Sequence, residues 1–302
     1  TPLLRSPFLD ELTQCNVFIK PENLQRTGSF KFRGAYNAIT ALSDSERAKG
    51  VLAVSSGNHA QGVGEAARLH AISATIIMPS DAPLTKIERT KRSGAEVVLY
   101  DRLNDDREQM ALETAKKTGA TFIHPFNNRY VIAGQGTTGL EICQDLVAQA
   151  ITPDHVLVCT GGGGLTSGVA MSVRHHFQHT SIHSCEPQGF DDYRRSLVSG
   201  QRETNQTQGG SVCDAIVTPT PGEIGFAINR VLLGEGYAVS DQEAMAAVAF
   251  AYNELRLVVE PGGAVALATL LANGERFKGK TVVIILSGGN IDPATLQAAL
   301  SC

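Results

Sequence analysis

Gly28-Ser29-Phe30-Lys31-Phe32-Arg33-Gly34 sets a lysine between two phenylalanines, with a glycine three residues away on each side. An ammonium group is strongly hydrated, so an apolar setting suppresses its charge. Desolvation lowers the pKa of an amine and frees its lone pair, and such a lysine can form an imine with a carbonyl compound or act as a base. The plain alternative is a surface lysine whose stem lies over an apolar helix start. Ala35, Tyr36, Ala38, Ile39 and Leu42 follow at helical spacing, which places Lys31 near the start of a helix.

Outward from this stretch, apolar runs of strand length alternate with helical segments. Residues 17–20 read as a short strand, and 51–54, 74–78, 97–100 and 121–123 as further strands separated by amphipathic helix. The second half repeats the pattern with buried strands at 156–159, 181–185 and 282–286. Strands alternating with helices make βαβ units, so the fold class is α/β with mainly parallel open sheets flanked by helices. With 302 residues and 42% hydrophobic content, two lobes of moderate core are expected. A loop-rich stretch at 199–222, dominated by Gly, Gln, Thr and Pro, separates two helical segments.

Three more stretches carry chemistry. Gly161-Gly162-Gly163-Gly164-Leu165 follows a predicted strand and opens a helix. Consecutive glycines let backbone amides converge at a helix N-terminus, where unpaired N–H groups and the dipole favour an anion such as a phosphate. It lacks the spacing of the dinucleotide fingerprint. A flexible turn needing positive φ is the structural alternative. Ser55-Ser56-Gly57-Asn58-His59 also lies between a strand and a helix, where Ser and Asn are ordinary N-caps. Ser287-Gly288-Gly289-Asn290 ends the last predicted strand, as a turn would.

Taken together and in this order, the four stretches resemble the fold-type II pyridoxal-phosphate enzymes, in the serine/threonine dehydratase and serine racemase branch. The family pattern S-F-K-x-R-G, S-x-G-N-H, G-G-G-G-L, S-G-G-N is matched across nearly the whole chain. The resemblance implies pyridoxal 5'-phosphate as cofactor, joined to Lys31 as a Schiff base and held by Phe30, Asn58, Gly161, Gly162, Gly163, Gly164, Leu165 and Ser287. Asn58 would bond the ring oxygen. Ser287 would face the pyridine nitrogen, leaving it largely unprotonated where an aspartate would not. Ser55, Ser56, Gly57, Asn58 and His59 would bind the substrate α-carboxylate, with Lys31 and Ser56 as the catalytic pair. Pro125-Phe126-Asn127 and Gly134-Gln135-Gly136-Thr137 look like further segments that line or brace the site, whereas His124 reads equally well as an interior histidine.

The implied reaction is β-elimination, the dehydration and deamination of a small β-hydroxy amino acid, L-threonine or L-serine, to a 2-oxo acid and ammonia. Because Ser56 stands where threonine dehydratases often have alanine, 3-hydroxyaspartate dehydratase and serine racemase are the alternatives. Some racemase-like relatives bind a divalent metal through a glutamate four residues before an aspartate. Here Asp214 is retained but Gly210 replaces the glutamate, so no metal is expected unless Glu186 or another acid substitutes. The resemblance places a large cofactor-binding domain at 1–45 and 131–302 and a small substrate-loop domain at 46–130, and implies a homodimer. No C-terminal regulatory domain is expected after Ser287, and a native N-terminal segment is expected before Thr1.

Composition narrows the classes. Net charge is −4 with scattered basic residues, which leaves no footprint for nucleic acid. Cys15, Cys143, Cys159, Cys185, Cys213 and Cys302 are widely spaced without a CxxC, so a reduced, cytoplasmic protein is expected. No apolar run approaches a membrane span and no signal peptide opens the chain. Arg102 and Arg129 read as solvated charges, and His175, His176 and His179 as helix-end residues. The non-enzymatic rival is a nucleotide-binding module on the same kind of sheet, and fold alone does not separate the two.

Overall fold

The computed structural model describes every residue except Pro83, Arg102, Leu103, Asp106, Gln208 and Cys302, and the backbone alone of Thr85, Arg107 and Glu108. The Arg102 and Cys302 readings therefore lie outside the described residues. Among the described residues, ten strands form in chain order: β1 (Leu4–Arg5), β2 (Asn16–Pro21), β3 (Val51–Val54), β4 (Ala74–Pro79), β5 (Glu96–Tyr100), β6 (Thr121–Phe122), β7 (His155–Cys159), β8 (Ser181–Pro187), β9 (Tyr237–Val239) and β10 (Thr281–Leu286). They make a six-stranded sheet, β1-β2-β10-β7-β8-β9, and a four-stranded sheet, β5-β4-β3-β6. All pairings are parallel except β1 on β2, where Leu4 faces Ile19.

The chain separates into two compact units, residues 1–30 with 135–302, and residues 31–134. In the first, the central strand β10 reads Thr-Val-Val-Ile-Ile-Leu and is buried from Val282 to Leu286. A continuous apolar run is what a parallel strand covered by helices on both faces requires. Val282, Ile284 and Leu286 enter one core, with the helix Pro261–Ala272, while Val283 and Ile285 enter the other, with Val169 and Val173 of the helix Gly164–His176. The two-residue periodicity of a strand thus feeds two cores from one segment. In the second unit, Val51, Ala53, Ile76 and Met78 meet Val63, Ala66 and Ala67 of the helix Asn58–Leu69.

The division differs from the expected one at its first boundary, 30/31 in place of 45/46, and is four residues later at the second. The helix Lys31–Thr40 groups with the second unit because it packs closely on the helix Asn58–Leu69. A Cβ at Gly62 would come within 3.1 Å of the Lys31 carbonyl, and one at Gly134 within 2.5 Å of the Arg33 carbonyl. Among the described residues, no helix is long and apolar enough to cross a membrane. Cys15, Cys143, Cys159, Cys185 and Cys213 are buried and free.

Candidate active site

In the first unit the glycine stretch joins β7 to the helix Gly164–His176. The Thr160 hydroxyl donates to the Val158 carbonyl (2.9 Å) and lies 2.7 Å from the Thr166 hydroxyl, which ties the strand end to the first helical turn. Gly163 occupies the N-cap position at φ 87°, ψ 3°, a left-handed conformation that favours glycine. Its carbonyl accepts from the Ser167 hydroxyl (2.7 Å), and the Gly162 carbonyl accepts from the Gly222 amide (3.1 Å). A Cβ at Gly161 would lie 2.9 Å from the Ile216 carbonyl, and one at Gly163 would overlap the Tyr193 hydroxyl.

No side chain caps this helix start. The first N–H groups of a helix have no intrahelical acceptor, so they stand at the positive end of the dipole as donors. A phosphate monoester fits such a start: the donors are backbone amides, the loop is too closely packed for side chains, and no carboxylate competes for them.

The first and last stretches of the sequence interlock in this same unit. Ser29 and Gly288 form an isolated antiparallel bridge, the Phe30 amide donates to the Ser287 carbonyl (3.2 Å), and the Gly289 amide donates to the Gly28 carbonyl (2.9 Å). The Asn290 amide donates to the Thr27 carbonyl (2.8 Å). Gly28 sits at φ 75°, with Asn290 where its Cβ would be. Ser287 is buried, and its amide donates to the Gly263 carbonyl (3.2 Å).

The second unit carries Lys31 and the serine-rich loop. Lys31 Nζ donates to the Pro125 carbonyl (3.1 Å). The flanking phenylalanines pack against different cores. Phe30 packs against the core of the first unit and Phe32 against that of the second, with its ring 5.5 Å from Tyr36. Lys31 is half-buried.

Two histidines accompany it. His59 Nε2 lies 2.7 Å from the Ile123 carbonyl, so that nitrogen carries the proton and Nδ1 carries a lone pair. Burial, aided by the Lys31 charge, pushes the His59 pKa down to about 3. His124 Nδ1 accepts from the amides of Phe126 (3.3 Å) and Asn127 (2.9 Å), and burial and then Lys31 push its pKa down to about 4. Both rings are neutral at pH 7.

The serine-rich loop departs from simple capping. Gly57, rather than a serine or Asn58, takes the N-cap position of the helix Asn58–Leu69, and no side chain caps it. The Ser55 hydroxyl instead accepts from the Gly57 amide (3.2 Å), and the space where a Gly57 Cβ would stand is open. Ser55, Ser56 and Asn58 are half-buried beside it. This is a second open helix start, suited to a carboxylate.

The remaining candidates fall elsewhere. Glu186 is buried and accepts from the Tyr193 and Arg194 amides (2.8 Å each), capping the helix Asp192–Ser199, and burial holds its pKa well above the usual range. Asp214 opens the single turn Asp214–Ile216. Among the described residues no group of three His, Cys, Asp or Glu side chains is placed to hold a metal. His175 and His176 end the helix Gly164–His176. A Cβ at Gly136 would stand 3.0 Å from the Gly168 carbonyl, so the Gly134 to Thr137 segment is a close helix contact. Sequence reasoning missed Tyr193, which lies thirty residues from the glycine it touches and has no motif of its own.

The sequence profile of pyridoxal-phosphate dependent enzymes matches residues 1–288. The chain is 42% identical to the L-threonine ammonia-lyase of Thermotoga maritima, over 97% of this chain and 71% of that protein. It is 41% identical to an L-threo-3-hydroxyaspartate ammonia-lyase from a Pseudomonas species, over 97% of this chain and 90% of the relative. Its fold superimposes on maize serine racemase with a TM-score of 0.92 at 34% identity, covering 100% of this chain and 91% of that one. With the profile matched over nearly its whole length and relatives above 40% identity, this chain belongs to the family of pyridoxal-phosphate dependent enzymes.

Proposed function

We propose that the protein eliminates water from a small β-hydroxy amino acid, L-threonine or L-serine, yielding a 2-oxo acid and ammonia. The observation that carries this reading is the helix start at Gly163, which is built of glycine and left uncapped. Bound pyridoxal 5'-phosphate supplies an electron sink for the charge left on the substrate when its α-proton departs. The backbone amides of residues 161–165 hold the phosphate. The Ser287 hydroxyl would donate to the ring nitrogen without charging it and Asn58 would bond the ring oxygen, while Phe30 is anchored beside Ser287 through its amide.

Lys31 would be the covalent anchor and, once the substrate amine has displaced it, the base. Its amine takes the α-proton, and the Pro125 carbonyl orients Nζ. A positioned proton-transfer group contributes roughly 10²- to 10⁴-fold. His59 and His124, neutral at pH 7, add no second positive charge beside that amine. The open helix start at Gly57 receives the substrate α-carboxylate, with Ser55 and Ser56 alongside.

Ser56 also supports a second reading. A hydroxyl on that loop can return a proton to the opposite face of the α-carbon, which is racemisation. The relatives at 42% and 41% identity differ in substrate, and the fold is shared with a racemase. With Ser287 as its partner the bound ring would be a shallower electron sink, so loss of the β-hydroxyl, protonated to leave as water, is expected to outrun proton return and make dehydration the main reaction.

A panel of L-serine, D-serine, L-threonine and the 3-hydroxyaspartates, scored for keto acid and for the opposite enantiomer, tests this. Keto acid from L-threonine or L-serine is expected to dominate, and Ser56→Ala to suppress any D-product while sparing much of the keto acid. Faster formation of D-serine than of pyruvate contradicts the ordering. The same proposal includes a homodimer, which sedimentation checks, and a reducing cytoplasmic setting, in keeping with the buried free thiols.

A further inference from the structure

Tyr193, which meets the glycine loop at Gly163, belongs to a set of buried polar atoms that the fold leaves without partners. The Tyr193 hydroxyl, both side-chain amide atoms of Asn229, Asp192 Oδ2 and the Thr218 hydroxyl have no hydrogen-bond partner among the described residues. Tyr193 and Asn229 are both 0% exposed, so bulk water does not serve them. An unpaired buried polar atom is costly, and native structures hold few of them. The Tyr193 hydroxyl, which meets the glycine loop at Gly163, therefore calls for a ligand or ordered water.

The position of the tyrosine is specific. Its amide is fixed by Glu186 (2.8 Å), and its ring packs edge-on against Phe226 with centroids 6.3 Å apart. Its hydroxyl stands where a Gly163 side chain would be and 3.0 Å from where a Gly225 Cβ would be. Asn229 lies close to that hydroxyl without forming a bond to it, and a small shift would let its amide donate to the tyrosine oxygen while the phenol proton points elsewhere. Burial raises the phenol pKa, so the group remains a donor.

We propose that Tyr193, backed by Asn229, is a binding residue of the anion site: its hydroxyl is the side-chain donor that completes the shell of backbone amides around the phosphate monoester, directly or through one ordered water. This rests on the reading that the phosphate sits at residues 161–165. The loop selects glycine at position 163 because the tyrosine has taken the space, and the tyrosine tolerates a buried unpaired hydroxyl because the anion supplies its acceptor.

The test resolves the cofactor from the purified holoenzyme and titrates it back as pyridoxal 5'-phosphate or as pyridoxal, which lacks the phosphate. The deciding quantity is the ratio of the two dissociation constants. In Tyr193→Phe this preference for the phosphorylated form is expected to fall roughly tenfold, the size of a hydrogen bond to a charged group. The thermal midpoint of the cofactor-free variant should hold or rise, since an unpaired buried hydroxyl has been removed. A purely structural role would weaken both ligands together and leave the ratio unchanged, and that result overturns the proposal. Gly162→Val separates the two levels: if it also leaves the ratio unchanged, the phosphate lies elsewhere and the underlying reading fails. If it lowers the ratio while Tyr193→Phe does not, only the role of Tyr193 is wrong.

Discussion

The helices Asp241–Leu255 and Gly164–His176 both begin in the first unit, and their starts are built on opposite plans. At the first, the Ser240 hydroxyl accepts from the Glu243 amide (3.2 Å), and the Glu243 carboxylate accepts from the Ser240 amide (2.7 Å) and hydroxyl (2.9 Å). This capping box satisfies the orphan donors and sets a negative charge at the positive end of the dipole. At the second, Gly163 brings no side chain, and the carbonyls of Gly162 and Gly163 are bonded into the fold. One helix completes itself, and the other leaves its N-terminal donors for something that arrives. The start of the helix Asn58–Leu69 in the second unit follows the second plan, with Gly57 at its N-cap.

Closing the open start breaks this contrast most severely. Gly162→Val is expected to weaken cofactor affinity roughly 100-fold, as loss of about two charge-assisted hydrogen bonds would. Equilibrium dialysis against pyridoxal 5'-phosphate, with circular dichroism confirming the fold, measures it.

The second unit sharpens the comparison through pH. Unfolded, His59 takes up a proton near its ordinary value of 6.5, whereas folded it stays neutral until about 3. Between those values the unfolded chain binds more protons, so His59 destabilises the fold as pH falls through that window, by at most about 1.4 kcal/mol per pH unit. His59→Gln should lose about one proton's worth of acid slope in denaturant unfolding between pH 4 and 6. An unchanged slope would place the acid sensitivity on other groups.

The smallest effect comes from the self-completed start. Ser240→Ala should cost about 1 kcal/mol of stability, the usual worth of a cap, while cofactor affinity stays at the wild-type value. Thermal unfolding and the same dialysis give both numbers.

Much of the framework was legible because buried parallel strands announce themselves as apolar runs. The stretch 51–54 is β3 residue for residue, and 282–286 is β10 less its first residue. Strands β1 and β9, of two and three residues, carry too little periodicity to be seen. The glycine loop was readable because consecutive glycines opening a helix have few other physical uses. What sequence adjacency could not give was direction: Phe30 and Phe32 flank Lys31 yet enter different cores. It also could not give the partners of distant segments, as with Gly28 and Asn290, or Gly163 and Tyr193. The domain boundary moved for a similar reason, since the close approach of Gly62 to Lys31 is a tertiary contact.

The chain offers a counterpart to Lys31 in Lys20, which is fully buried but paired with Glu141 (2.7 Å). Burial alone therefore does not single out the reactive lysine. Borohydride reduction of the holoenzyme, followed by tryptic peptide mapping, distinguishes them directly. The pyridoxyl group is predicted on Lys31; its recovery on Lys20 or any other lysine would contradict the account.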